Sequence, residues 1–420
     1  MEVAFAPTTD KKFNNTVIIG NNGAGKSTIL EGLATSLSWF IARIKSEKGN
    51  GTPISELRIK NNNNAAAITI HVEDANTATG ASWILTKARK GRKSEKGTQL
   101  NDLSKLVTEY RLRYTKDSDL SFPLIIFYDA NRGVLDIPLK IRGKHNFEQL
   151  DGYDNSLRGS VDYRRFFEWY REREDSENET KLKFFNNLDI RQIKASITKE
   201  IELLSDKQLG AVRTALEVFL PDFTNFRIER KPRLHMAVEK NGQTLNVEQL
   251  SQGEKLTMAL VGDIARRLAI MNPTLPNVLE GYGVILIDEA ELHLHPKWQR
   301  TLIGRLAKTF PNCQFILSTH SPLAISDEKN ILCYSLDDGE LAEVDSLFGA
   351  DVNNVLIDAM DTEIRNHEIE ENINSLRENV QDKNLERAKY YLKKLEKVLP
   401  ENHLQLIKSR LLIRRLQLNK

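Results

Sequence analysis

Cysteine, membrane-length apolar segments and a secretory signal are scarce or missing in this chain. Its 420 residues include two cysteines, Cys313 and Cys333, which is too few for a disulfide framework and favours a reducing compartment. No run approaches the roughly 18 consecutive apolar residues that a membrane span requires. Met1 to Pro7 carry neither the basic start nor the long apolar core of a secretory signal. The sequence therefore predicts a soluble cytoplasmic protein with no membrane partner.

An excess of charge of one sign is also absent. The 60 Lys and Arg residues against 58 Asp and Glu residues leave a formal net charge of +2, so bulk charge does not predict a nucleic-acid-binding protein. Hydrophobic residues make up 40% of the chain, enough for a sizeable buried core. The segment 87–96 is a local exception, because six cations there face a single acid, Glu95. It predicts either contact with a nucleic-acid phosphate backbone or a solvated loop tip.

The most informative segment runs from Gly20 to Ser27 and fits the pattern G-x-x-x-x-G-K-[ST]. A short apolar run, Val17 to Ile19, precedes it as a predicted strand, and helical spacing follows it. Glycines let the backbone wrap a phosphate, successive N–H groups form an anion nest, and the helix N-terminus adds a favourable dipole. Lys26 would reach the β- and γ-phosphates and Ser27 would ligate Mg²⁺, unless the segment is an ordinary Gly-rich turn. The candidate binding residues here are Asn21, Asn22, Gly23, Ala24, Gly25, Lys26, Ser27 and Thr28.

Two adjacent carboxylates end an apolar run far downstream. Val284 to Ile287 is predicted to be a buried strand, and Asp288 and Glu289 follow it. Adjacent side chains of a strand point to opposite faces, so the two acids can serve different ligands. Asp288 would hold Mg²⁺ through water and Glu289 would polarise an attacking water. The alternative is a strand that ends in solvated acids.

Two further elements complete the pattern. Leu250 to Lys255 reads L-S-Q-G-E-K and precedes a predicted helix, whose N-terminus would form a second anion site. Ser318 to Pro322 follows another apolar strand, and its His320 can donate a hydrogen bond to a γ-phosphate. Taken alone, each element is more often a turn or a structural histidine, so the order of all four is what carries information. The candidate residues of the second anion site are Ser251, Gly253 and Glu254.

In this order the motifs resemble the ATP-binding-cassette ATPases of the SMC, RecF and OLD type. The resemblance spans Gly20 to Pro322 and implies an α/β ATPase head with a mixed sheet that binds ATP and Mg²⁺. It also implies that Leu250 to Lys255 is the signature motif, which completes the ATP site of a second copy in a head-to-tail dimer. His320 would be the switch histidine. Tyr128 to Arg132 stands at the strand end where this family carries a glutamine loop, and it contains no glutamine.

Finer features resemble a narrower group. Asp288 to Pro296 looks like the D-E-x-E-x-H-x-H-P form of compact defence and repair ATPases. The segments 153–175 and 349–353 resemble stretches of the PtuA-type ATPases, which occur in Septu and some retron anti-phage systems. His293 and His295 could suggest a metal site, but we expect them to shape the loop after the acids.

The same reasoning divides the chain into four parts. In the last part, three helices are expected, each with one apolar row. The rows are Ile369, Ile373, Leu376 and Val380 in the first helix, Leu385, Ala388, Leu392 and Leu395 in the second, and Leu404, Ile407 and Leu411 in the third. The parts are an N-terminal ATPase lobe (1–150), a helical insertion (151–240), a C-terminal ATPase lobe (241–345) and a helical extension (346–420).

The function that the resemblance implies is an ATP-hydrolysing sensor or regulatory subunit of an anti-phage complex. Its partner would be an HNH nuclease of the PtuB type, joined in a retron system by a reverse transcriptase with its RNA–DNA product. No nuclease activity is expected in this chain, because the segment after Pro322 lacks carboxylates clustered on strands. Two other functions stay open: a RecF-like DNA-repair clamp, and a structural scaffold that binds ATP with little turnover.

Overall fold

The computed structural model describes residues 1–74, 79–132, 147–187, 204–345, 347–358, 360 and 366–418. Two units are formed, Met1–Ala350 and Asp351–Lys420. The strands in the described part are β1 Asn15–Ile19, β2 Ala65–Asp74, β3 Thr79–Ala88, β4 Leu124–Tyr128, β5 Phe223–Glu229, β6 His235–Lys240, β7 Gln243–Asn246, β8 Gly283–Ile287, β9 Cys313–Ser318, β10 Leu332–Asp337 and β11 Glu340–Val344. The α-helices there are α1 Lys26–Lys45, α2 Asn101–Lys116, α3 Tyr163–Asn187, α4 Lys207–Phe219, α5 Gln252–Met271, α6 Pro296–Gln299, α7 Leu302–Thr309, α8 Pro322–Ser326, α9 Val352–Asp358, α10 His367–Gln381, α11 Leu385–Val398 and α12 Leu404–Leu418. Over the same residues, no helix has both the length and the apolar character to cross a membrane.

The first unit is built on a mixed sheet with the strand order β11-β10-β1-β9-β8-β4. The β10–β11 pair is antiparallel and the other neighbouring pairs are parallel. β1 lies in the interior, where Val17 stands opposite Leu317 on one side and Cys333 on the other. Every residue of β1 and β4 is buried, as expected for apolar strands covered on both faces. The expected α/β class is therefore confirmed.

The helix α1 packs directly on this sheet. Its residues Leu30 and Ala34 share a buried cluster with Ile18 of β1, Leu286 of β8 and Ile316 of β9. Burial of these side chains removes apolar surface from water and holds the start of α1 against the carboxyl ends of the strands.

β2 and β3 form a two-stranded antiparallel hairpin. Its antiparallel register runs from Ala65 opposite Ala88 to Asp74 opposite Thr79. The indole of Trp83 is buried, and its Nε1 donates a hydrogen bond of 3.2 Å to the carbonyl of Ser36 in α1. The hairpin is thus attached to the same helix that begins after the Gly-rich loop.

The segment 151–240 is not wholly helical, and the expectation of a helical insertion to residue 240 is wrong for its last part. Helices α3 and α4 occupy its centre, but β5 and β6 follow them and pair with β7 in a three-stranded sheet. Phe223, Phe226 and Ile228 of β5 are buried and form its apolar face. Polar residues stand between them in the sequence, so the strand was not predicted. Residues 188–203 of the predicted insertion lie outside the described part.

A buried ionic network joins β4 to α5. Asp263 accepts hydrogen bonds from Arg266 Nη2 at 2.6 Å, from Arg267 Nε at 2.9 Å and from Tyr128 Oη at 3.0 Å. Arg267 Nη1 also donates to the carbonyl of Gly152 at 2.6 Å. Burial acts to raise the pKa of Asp263, but the two guanidinium groups hold it below its ordinary value. The carboxylate is therefore the charge that compensates both arginines.

The second unit contains α9 to α12, and the last three helices share an apolar core. Ile373, Leu376, Ala388 and Leu395 are buried there, which confirms the first two predicted rows. The third row is wrong, because Leu404, Ile407 and Leu411 are exposed. Apolar residues occur on several faces of α12, so their spacing alone does not predict which of them face the core. In the structure Leu406 and Ile413 are the α12 residues buried in that core.

We predict that Asp263→Ala lowers the free energy of unfolding of the first unit by about 3–5 kcal/mol, because it leaves two buried guanidinium groups uncompensated. Tyr128→Phe removes one hydrogen bond of the same network and should cost only about 1 kcal/mol. Urea unfolding followed by tryptophan fluorescence measures both, since all four tryptophans lie in the first unit. A smaller loss for Asp263→Ala than for Tyr128→Phe would contradict this account.

Candidate functional site

The candidate residues meet at one edge of the sheet. β1, β9 and β8 are parallel neighbours, with Ile18 opposite Ser318 and Ile287 opposite Leu317. Segments that leave the carboxyl ends of adjacent parallel strands emerge side by side, which is where open α/β sheets bind ligands. The Gly-rich loop, the two acids and the segment after β9 therefore lie next to one another.

The loop from Gly20 to Gly25 forms an open cradle before α1. Gly20 has a φ of +145°, and a Cβ there would lie 2.2 Å from the carbonyl oxygen of Leu336. Gly25 has a φ of +109° and precedes α1 without a side-chain cap. Gly23 also has a positive φ, and its surroundings are open. The exposed positions of the cradle are Asn21, Asn22, Gly23, Ser27 and Thr28, with Ala24 half-buried. This geometry suits a bound phosphate chain, because the loop is largely exposed and stands at the positive end of the α1 dipole.

Lys26 places its ammonium inside this cradle. The side chain is buried, and Nζ donates hydrogen bonds to the carbonyls of Gly20 at 2.8 Å and Asn21 at 3.0 Å. Burial lowers the pKa of Lys26, while the carboxylates of Asp288, Glu289 and Glu291 act in the opposite direction. The ammonium thus contacts the loop and interacts electrostatically with the acids.

Ser318 fixes the two candidate acids relative to each other. Its Oγ donates to Oδ1 of buried Asp288 and accepts a hydrogen bond of 2.8 Å from the backbone N–H of Glu289. Ser318 begins the predicted motif Ser318 to Pro322, in which only His320 had an expected role. A hydroxyl both donates and accepts, so one residue orients both neighbours.

A third acid, Glu291, supports the segment that carries His320. Its Oε1 accepts a hydrogen bond of 2.6 Å from the backbone N–H of His320, and its Oε2 accepts one of 2.7 Å from Thr319 Oγ1. His320 is half-buried. The D-E-x-E spacing contained the signal for this residue, but only the fold reveals its partners.

Arg132 is another residue whose contacts the sequence did not predict. It follows β4, and its guanidinium donates to the backbone carbonyls of Asp288, Glu289 and Ala290. The segment from Tyr128 to Arg132 thus supplies an arginine to the turn that holds the candidate acids.

The second predicted anion site lies at the start of α5. Ser251 is the N-cap, its Oγ accepts from the N–H of Glu254, and the Glu254 carboxylate accepts from the N–H of Ser251 at 2.9 Å. Lys240 of β6 also binds Glu254 at 2.6 Å. A Cβ on Gly253 would lie 2.4 Å from the carbonyl of His293. Over the described residues, no hydrogen bond or ion pair connects 251–254 with 20–28.

The two histidines of the D-E-x-E-x-H-x-H-P segment shape its backbone. His295 Nδ1 accepts a hydrogen bond of 3.3 Å from the N–H of Lys297 and caps the short helix α6. His293 has a φ of +64°, and its carbonyl packs against Gly253. In the described ranges, no group of three or more His, Cys, Asp or Glu residues is arranged to hold a metal ion through protein ligands alone.

Comparison with known proteins assigns the family. Residues 16–326 match the family described as "AAA domain, putative AbiEii toxin, Type IV TA system". The chain belongs to this family. The match covers the Gly-rich loop, the candidate acids and His320, so all of these lie within an AAA-type ATPase domain.

Named relatives of this domain come from retron and Septu systems. The chain is 36% identical over 349 residues to "Retron Vc95 probable ATPase" of Vibrio cholerae, covering 76% of this chain and 68% of that protein. It is 32% identical over 359 residues to "Retron Ec83 probable ATPase" of Escherichia coli, covering 74% and 65%. Septu protein PtuA of Bacillus mycoides is 38% identical over 140 residues, covering 33% and 18%. The resemblance to PtuA-type and retron ATPases is therefore confirmed, and the chain spans about two thirds of its retron relatives.

Among solved structures, an SMC head bound to the C-terminal winged-helix domain of ScpA is similar at a TM-score of 0.43. The sequence identity is 16%, and the similarity covers 79% of this chain and 89% of that one.

We predict that Ser318→Ala lowers the free energy of unfolding by about 1–3 kcal/mol, because Asp288 and the N–H of Glu289 each lose a buried partner. Ser55→Ala is a suitable control, since Ser55 is exposed and makes no cap hydrogen bond. Urea unfolding followed by tryptophan fluorescence compares the two. Equal stability of both variants would show that the hydroxyl does not hold the acids.

Proposed function

We propose that this chain binds and hydrolyses ATP as the regulatory subunit of an anti-phage defence complex. The observation that carries the proposal is the convergence of Lys26, Asp288 and Glu289 beside an open cradle at a helix N-terminus. The retron and Septu relatives support the defence setting.

In this proposal the cradle binds the triphosphate. Backbone N–H groups of the loop contact the β-phosphate, and the Lys26 ammonium exchanges its carbonyl partners for the β- and γ-phosphates. The Ser27 hydroxyl and the Asp288 carboxylate are oxygen donors suited to Mg²⁺, which prefers carboxylates, hydroxyls and water. When bound, Mg²⁺ supplies positive charge that offsets the charge of the phosphates.

Glu289 and His320 act on the side of the γ-phosphate. Glu289 orients the attacking water and accepts its proton as general base. The backbone N–H of His320 donates to Glu291, which fixes the position of this residue. The His320 side chain donates a hydrogen bond to the γ-phosphate and so distinguishes ATP from ADP.

The site is completed by a second copy of the chain. Ser251, Gly253 and Glu254 begin a helix whose N-terminus suits an anion, yet no described contact joins them to their own phosphate loop. A head-to-tail dimer places this helix start on the γ-phosphate held by the other copy, and each dimer encloses two ATP molecules.

The partner proposed for this dimer is an HNH nuclease of the PtuB type, which does the cutting. In a retron setting a reverse transcriptase with its RNA–DNA product joins the complex.

We predict that Lys26→Ala and Ser251→Arg each abolish ATP turnover, and that mixing the two variants restores it. In the mixed dimer one site combines an intact Lys26 with an intact Ser251 of the other copy. Random pairing should restore about one quarter of the wild-type rate. Phosphate release measures the rate, and a mixture as inactive as its components would contradict completion by a second copy. If Glu289→Gln turns over ATP as fast as wild type, the scaffold function gains support instead.

The basic segment 87–96 contributes to one surface with the loop before β2. Arg89 donates to the carbonyls of Asn63 at 2.9 Å and Ile59 at 3.0 Å, which ties the two loops together. The cations of this surface that make no ion pair with any described residue are Lys60, Lys87, Lys90, Arg92, Lys93 and Lys96. Phosphate backbones bind such clusters without regard to sequence, so we propose that nucleic acid contacts the surface here.

We predict that Lys90, Lys93 and Lys96 changed together to Gln weaken binding of a mixed-sequence DNA duplex. The slope of log K against log salt concentration should fall by about 2–3, at about 0.9 for each lost phosphate contact. A matched control changes Lys389, Lys393 and Lys397 of α11, which are also exposed. Fluorescence anisotropy across a salt series measures the slope for both triple variants. Equal slopes would contradict the proposal that nucleic acid binds the surface around 87–96.

A further inference from the structure

Arg132 is a buried cation whose partners are backbone carbonyls. Its side chain is 4% exposed. Nη1 donates to the carbonyl of Asp288 and, at 3.2 Å, to that of Asp129, while Nη2 donates to Glu289 at 2.8 Å and Ala290 at 3.3 Å. Burial lowers the pKa of Arg132, while the carboxylates of Glu291, Asp288, Glu289 and Asp129 act in the opposite direction. Three successive carbonyls of the turn after β8 thus converge on one side chain.

The rest of that turn is held by a different set of partners. The N–H of Asp288 donates to the backbone carbonyl of Tyr128 at 2.8 Å, and the N–H of Ala290 donates to the carbonyl of Ser318 at 2.9 Å. The N–H of Glu289 donates to Ser318 Oγ at 2.8 Å. Neighbouring strands therefore satisfy the N–H groups, and Arg132 satisfies the carbonyls. Within the described part of the chain, no other hydrogen bond reaches the carbonyls of Asp288 and Ala290.

Glu289 needs this support because its backbone is strained. Its φ is +46°, in the left-handed region that non-glycine residues seldom occupy. Such a conformation persists only where the surroundings enforce it. Release of the turn would let Glu289 relax toward negative φ and would move its carboxylate away from the loop of Lys26.

We propose that Arg132 is the positioning residue for Glu289 and sets the direction of its carboxylate toward the attacking water. This inference rests on the proposed ATPase function. Arginine suits the task because its planar fork presents several donors in fixed directions, whereas a lysine ammonium is a single point of charge and cannot span three carbonyls.

Arg132→Lys tests the proposal, because it keeps the charge and removes the fork. We expect kcat to fall by at least about 10-fold, since small displacements of a reacting group cost up to about 100-fold. The Kd for Mg·ATP should change by less than about 3-fold, because the cradle around Lys26 is untouched and Ser318 still orients the Asp288 carboxylate. Amide hydrogen exchange at Glu289 and Ala290 should accelerate. Arg305→Lys is the control, since Arg305 also donates to a backbone carbonyl, that of Phe219, remote in sequence from the turn.

A double-mutant cycle separates positioning from general stability. If Arg132 acts through Glu289, Glu289→Gln with Arg132→Lys should be no slower than Glu289→Gln alone. Two results would overturn the proposal while leaving the ATPase function intact. One is a kcat of the double variant that falls by the product of the two single losses, and the other is unchanged amide hydrogen exchange at Glu289 in Arg132→Lys. Equal rates for wild type and Glu289→Gln would instead refute the general-base role on which the proposal rests.

Discussion

The parallel alignment of β1, β9 and β8 is the constraint on which the candidate site depends. Parallel neighbours bring their carboxyl ends to one edge, so residues separated by hundreds of positions in the chain become adjacent. Burial of α1 on the same sheet then holds the start of that helix, and with it Lys26, beside the acids. The positive charge of the lysine ammonium and the negative charges of the carboxylates compensate one another. This matters because an isolated charge would be energetically unfavourable in a site that is partly shielded from water.

Around this edge, residues for which no role was predicted hold the candidate acids and the backbone of His320 in place. Ser318 bridges Asp288 and Glu289, Glu291 holds the backbone of His320, and Arg132 gathers the carbonyls of the turn. Behind them, the Asp263 network connects β4 to the helix that starts at the second anion site. Polar contacts through Tyr128 therefore connect the turn that carries the acids with the buried middle of α5.

Much of the site was predictable from sequence because its signals are local. Strand, glycine turn, lysine and helix follow one another around Lys26, and two acids end an apolar run at Asp288. The supporting contacts were not predictable, because Arg132 and Asp288 are 156 positions apart and no spacing rule relates them. β5 was missed because polar residues interrupt its buried face. α12 carries several apolar rows, and only its packing in the second unit determines that the row containing Leu406 faces the core.

The central claim is that Lys26 and the adjacent acids form one nucleotide site. Isothermal titration calorimetry with Mg·ATP tests it most directly in the Glu289→Gln background, where we expect turnover to be suppressed. The account predicts saturable binding of one ATP per chain, and loss of that binding when Lys26→Ala is added. Equal affinity with and without the Lys26 ammonium would contradict it.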